Sequence, residues 1–302
     1  MVLLIAVPVM IQNGLTNFVS LLDNIMVGQI GTEQMSGVAI VNQLIIVYNL
    51  CIFGGMSGVG IFTAQYYGSG DMEGVRHTFR LKIIIGAVLV GIWFLVFGFL
   101  GEELIRMFLK GDATGSDAEQ TFRFARDYLH IMMASLIPFA LTQAYGGTQR
   151  ETGETVLPMK AGMAAVLVNL ILDYGLIFGK YGLPKLGVFG AAIATVLARC
   201  VEASVVILST HRNTKKNPFI RGVYRSLYVP GTLVREVMKK GTPLLLNETL
   251  WSGGMAKLVQ CYSVRGLAVV AGVNIATTVS NVFSIVYIAM GSAIAIIVGQ
   301  LL

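Results

Sequence analysis

Residues 81–100 read LKIIIGAVLVGIWFLVFGFL, and after Lys82 the run holds no ionisable side chain. Twenty residues of α-helix are about 30 Å long, which matches the hydrocarbon core of a bilayer. The run is too long and too continuous for a barrel strand, which needs only about 10 alternating residues. It predicts a transmembrane helix.

Seven further apolar runs flank it, at 2–27, 34–67, 128–147, 158–178, 186–210, 242–262 and from 268 to the last residue, 302. Only 13% of the residues are charged and 55% are apolar, where a soluble domain carries about 25% charged residues. That balance excludes a disordered chain, a nucleic-acid-binding coat and an ordinary soluble enzyme. It predicts an all-α, polytopic membrane protein whose first partner is the lipid bilayer. Cys51, Cys200 and Cys261 form no CxxC pair, and His77, His130 and His211 are far apart, so neither a disulfide framework nor a zinc site is supported. No P-loop and no nucleophile elbow occur, so the chain reads as a non-enzyme with no cofactor and no nucleic-acid partner.

The net charge of +6 bears on orientation. Arg76, Arg80 and Lys82 follow the second run, Arg150 and Lys160 flank the fourth loop, and eight Lys and Arg between Arg212 and Lys240 follow the sixth. Alternating spans put all three groups on one side, and basic loops are cytoplasmic. The expected location is the inner (plasma) membrane, multi-pass, with a cytoplasmic N-terminus. Residues 211–241 read as a basic cytoplasmic linker or an interfacial amphipathic helix, separating a six-helix lobe (1–210) from the opening two helices of a second (242–302). A shift of about 235 residues supports this division: Pro8 falls on Pro243, Gly31 on Gly266, and Gln65 on Gln300. Parallel repeats of six helices are common among secondary transporters, so the chain reads as one complete half and the start of another.

Ionisable residues inside spans are costly and tend to face a cavity or a partner. Asp23 and Asp173 each precede the outer end of a span by about four or five residues, roughly 6–8 Å in depth. Asn169 is one turn before Asp173 on the same helix face, and Thr195 in the next span reaches a similar depth. Two carboxylates and two neutral oxygens at one level can share a proton or hold a small cation. The same placement also suits residues that lock helices near the headgroups. Arg199 and Glu202 suggest an internal ion pair. Glu248, beside Asn247 and one turn from Trp251, suits attraction of a lipophilic cation through charge and ring quadrupole; it also suits a carboxylate at a helix start. Pro8 and Pro138 are expected to bend their spans, and Gln143 joins the polar residues that bond between helices or line a wet cavity. Gly54–Gly55–Met56–Ser57–Gly58 reads as a close-packing patch.

Several of these segments carry a family resemblance. Leu22-Asp23-Asn24-Ile25-Met26-Val27-Gly28 resembles the first-helix VDTxMVG pattern of the multidrug and toxic compound extrusion (MATE) family. Arg150-Glu151-Thr152-Gly153-Glu154-Thr155, followed by Pro158-Met159, resembles its RGxGdTxxPM loop, with Glu151 in place of the usual Gly. Asn169 to Asp173 and Gly187 to Thr195 resemble its fifth and sixth helices. The resemblance implies a twelve-helix, V-shaped, monomeric antiporter that expels organic cations and drugs in exchange for Na+ or H+. It implies cation coupling at Asp23, Asn169, Asp173 and Thr195, with Asp23, Asn169 and Asp173 as metal ligands if the ion is Na+. It also implies a bend of the first helix at Pro8 and a substrate-binding role near Glu248, Asn247, Trp251 and Gln143. The alternative is a lipid-linked-precursor flippase of the same superfamily, which would want a cavity rich in Arg; only Arg199 lies within the spans.

Overall fold

The computed structural model describes residues 2–109, 116–263 and 267–301. Among these residues every regular element is helical: α1 (Val2–Gly28), α2 (Thr32–Gly68), α3 (Met72–Leu109), α4 (Ser116–Met133), α5 (Leu136–Glu151), α6 (Val156–Phe178), α7 (Val188–Arg212), α8 (Gly231–Ser263) and α9 (Leu267–Leu301), with two 3-10 turns between α7 and α8. Helices are what an apolar chain must form in hydrocarbon, where no water satisfies the backbone N–H and C=O groups. Among the described residues α2, α3, α6, α7 and the Phe283–Leu301 part of α9 are each long and apolar enough to cross a membrane, and α1 contributes the shorter apolar stretch Ile5–Val19.

The fourth span bends at its proline, as expected: within 128–147 the structure has α4 and α5 separated by a break at Ala134–Ser135. Pro138 has no N–H to give the carbonyl of Ala134 four residues earlier, so the ladder opens there. Ser135 Oγ turns back to donate to the Met132 carbonyl at 2.7 Å. Tyr48 on α2 donates its hydroxyl to the Leu136 carbonyl at 2.7 Å, satisfying an acceptor at the joint. The other proline behaves differently: α1 continues as a helix through Pro8 without interruption.

The core lies between α2, α3, α4, α5 and α7. Tyr48, Ile52, Ile105 and Leu136 are fully buried there, and Tyr48 packs edge-on to Trp93 with ring centroids 6.2 Å apart. The glycine patch of α2 allows two close approaches. A Cβ at Gly55 would lie 3.2 Å from Ile85 on α3, and one at Gly58 would lie 3.2 Å from the Gly241 backbone on α8. Of the two forms expected for residues 211–241, the amphipathic helix is seen over 231–241: α8 begins at Gly231, and Leu233 and Val237 are buried against Val59 and Phe62 of α2. The N-terminal part of α1 packs Ile5 and Ala6 on Ala293 and Ile296 of α9. Pro8 and Pro243 both lie inside helices, α1 and α8. The Gly111–Gly115 turn and Gly266 lie outside the described residues.

Candidate functional site

Three helices bring the candidate residues together. α6 and α7 form an antiparallel hairpin closed by Gly179, whose left-handed φ of 69° ends α6 and lets Lys180 N–H donate to the Gly175 carbonyl at 3.0 Å. The two helices touch where Gly190 meets Leu176; a Cβ at Gly190 would lie 2.7 Å from the Leu176 backbone. Five residues along α7, Thr195 is therefore level with Ile171, between Asn169 and Asp173. α1 crosses the other side of α6, where Gly162 leaves room for Gln12. Placing a side chain at Gly190 would wedge this hairpin apart. Gly190→Val is expected to destabilise the protein by about 1–3 kcal/mol, read as a lower melting temperature of the detergent-solubilised chain.

Asp23 and Asp173 bring their carboxyls close enough to act on one another. Asp173 is 1% exposed and Asn169 7% exposed. Neither carboxylate oxygen of Asp173, nor Oδ1 of Asp23, nor Nδ2 of Asn169 has a hydrogen-bond partner in the protein. Thr195 donates its hydroxyl to the Ala191 carbonyl of its own helix at 3.0 Å, which leaves its lone pairs as acceptor capacity. Two ionised carboxylates cannot bond to each other. They are joined only by a proton or a cation between them, and buried polar atoms left without partners are costly. Asp23 lies five residues before Gly28 and Asp173 five before Phe178.

Two residues that the sequence reading did not assign to this site sit beside it. Tyr128 on α4 is buried within electrostatic reach of Asp23, Asp173 and Arg199. Arg199 on α7 places its guanidinium over the Phe139 ring, 4.5 Å from the centroid, with Nε unpartnered. The expected Arg199–Glu202 pair is not closed within 4.0 Å. Instead Glu202 lies between the fields of Arg199 and Arg150, and Arg150 donates to Gln12 Oε1 at 3.2 Å. Tyr128 reads in sequence as the start of an apolar run; its place on α4, packed on α7, brings it within electrostatic reach of the carboxylates.

The proposed substrate residues are less gathered. Gln143 is partly buried on α5, beside the buried Ala144, and Asn247 is exposed on α8. The side chains of Glu248 and Trp251 lie outside the described residues. Pro8 is buried on α1, next to the segment that packs on α9. The donor set around Asp23 and Asp173 is all oxygen apart from the Asn169 amide nitrogen, which suits a proton or a hard monovalent cation. Among the described residues no group of three His, Cys, Asp or Glu side chains gathers as it would for a transition metal.

Comparison with known proteins bears on the family and the fold. The MatE family profile matches residues 8–175. The chain is 26% identical over 299 residues to a Thermotoga maritima protein named "Probable multidrug resistance protein NorM", covering 98% of this chain and 61% of that protein. It is 25% identical over 302 residues to "Multidrug resistance protein MdtK" of Pectobacterium atrosepticum, covering 98% and 63%. The chain thus spans about three-fifths of the length of the curated relatives it matches. Among solved structures, a MATE protein in complex with MaD5 superposes with a TM-score of 0.81 at 20% identity, covering 99% of this chain and 65% of the other. An outward-facing multidrug resistance MATE family transporter gives 0.77 at 18%, covering 97% and 62%.

Proposed function

The chain belongs to the MatE family, and on that premise we propose that it is the coupling lobe of a secondary antiporter that exports organic cations in exchange for H+ or Na+. The observation that carries the reading is the pair of facing carboxyls, Asp23 and Asp173, with buried oxygens that no protein donor reaches. The exchanged ion is cargo, held between the two carboxyls with Asn169 and Thr195 as further oxygen donors. Occupancy removes the repulsion between α1 and α6, and emptying the site restores it, so the ion biases how α1 sits on α6. Because the other part of α1 packs on α9, a change of α1 at Asp23 is transmitted to the second lobe. Alternating access is then a rocking of one lobe against the other, with substrate held between them near α8 and Gln143. The basic residues of α3, α5 and the linker face the cytoplasm of the inner membrane, and the N-terminus lies on that side.

Everted vesicles carrying the chain test this reading. Addition of ethidium as the organic cation is expected to accelerate release of a preformed H+ or Na+ gradient, followed with a pH-sensitive or Na+-sensitive dye. Ethidium accumulation that proceeds at the control rate, with neither ion moved, would overturn it.

A further inference from the structure

The first 3-10 turns of the linker fold back against the start of α3 and leave an open cleft of about 440 Å³, lined by Glu73, Arg76, Arg80, Arg221, Gly222 and Arg225. Four guanidiniums face one carboxylate in this space. Arg80 is buried and holds the linker in place, donating from Nε to the Val223 carbonyl at 2.8 Å and from Nη2 to the Gly222 carbonyl at 3.4 Å. Gly222 takes a left-handed φ of 74°, which turns the chain sharply between Arg221 and Arg225 so that both line the same cleft. Arg76 pairs with Glu73 through Nη1, but its Nε is buried and has no partner. Arg221 and Arg225 are exposed, and no ion pair is formed by either among the described residues.

Position adds to charge. Arg80 immediately precedes the apolar run that enters the bilayer, and Tyr224, Leu227 and Tyr228 beside the cleft are all more than half exposed. Exposed Tyr and Leu among arginines are the composition of a headgroup-level surface. Basic pockets beside transmembrane helices on the cytoplasmic side recognise phosphate-bearing headgroups, and guanidiniums grip phosphate bidentately. We propose that this cleft binds a phosphate anion, supplied by the headgroup of an anionic phospholipid, and so ties the linker between the two lobes to the membrane surface. The site is remote from Asp23 and Asp173, so it stands or falls independently of the transport reading.

The test is binding to the purified chain in a neutral detergent. The probes are dihexanoyl-phosphatidylglycerol, dihexanoyl-phosphatidylcholine and inorganic phosphate, followed by calorimetry. The anionic lipid is expected to bind, and the zwitterionic lipid is not. Arg221→Gln with Arg225→Gln should weaken binding about 25-fold, near fivefold for each charge removed. Glu73→Gln should tighten it, a direction that no loss of folding would give. Binding of inorganic phosphate alone, with the same dependence on the arginines, would keep the site and make a soluble phosphate its occupant. Equal binding of the two lipids, or affinity unchanged in the double variant, would overturn the proposal.

Discussion

Asp173→Asn is expected to reduce export to the rate of cells lacking the protein, with expression and melting temperature retained. The substitution is isosteric, so the α6–α7 hairpin and the contact at Gly190 should persist. What changes is the chemistry of the pair. An amide at this position can donate to the facing Asp23 carboxylate and so satisfies oxygens that now have no donor. The site is then joined permanently, as it would be with a proton in place, and no exchangeable charge remains to be driven by a gradient. Asp23→Asn should behave alike, because either amide can donate to the carboxylate that faces it. The measurement is ethidium efflux from de-energised and re-energised cells, with surface expression and thermal unfolding recorded in parallel. If the two carboxylates merely lock their helices, Asp173→Asn would lower the unfolding temperature and leave efflux intact; full efflux would end the coupling assignment.

How much of this was legible in the residues depends on what each signal measures. Apolar runs report burial in lipid, so the helical, membrane-spanning architecture follows from stretches such as 81–100 and 158–178. Depth along a helix is nearly linear in residue number, so counting from span ends was enough to bring Asp23 and Asp173 to one level. The same counting does not place the α4–α5 joint, although Pro138 marks a bend in that span. α4 begins in a polar stretch holding Glu119, Arg123, Arg126 and Asp127, which extends the rod beyond any apolar run. The helix interruption also lies upstream of the proline that causes it. Tyr128 was visible only as the edge of a run, and its approach to both carboxylates needs α4 packed on α7. Residues 211–241 left a linker and an amphipathic helix both open because charge marks solvent on one face only: residues 231–241 carry Arg235, Lys239 and Lys240 while Leu233 and Val237 face α2. Glu248 and Trp251 lie outside the described side chains, so the substrate face rests on sequence alone.

Lys82 shows the same limit with the largest stability consequence. Its charge and its place before an apolar run assign it to a cytoplasmic loop, yet its side chain is 0% exposed. It pairs with Glu151 across α3 and α5, and its Nζ also donates to Thr148 Oγ1 at 3.2 Å. Glu151 is the residue that stands where the MATE loop pattern has glycine. The structure supplies the compensation: Gly60 on α2 has no Cβ, and one there would collide with the Glu151 carboxylate. The backbone of Glu151 in turn accepts a bond from Gln300 Nε2 at 2.8 Å, so the pair sits where α9 meets the first lobe. Breaking such a pair from one side leaves a buried charge without its counterion. Glu151→Gln or Lys82→Met alone should therefore cost about 3–5 kcal/mol, seen as a large drop in melting temperature. The double variant Lys82→Met with Glu151→Gln should recover most of that loss, because no uncompensated charge remains. Additive losses in the double variant would mean that the two side chains stabilise the protein independently. The glutamate-for-glycine departure would then be unconnected to the lysine beneath it.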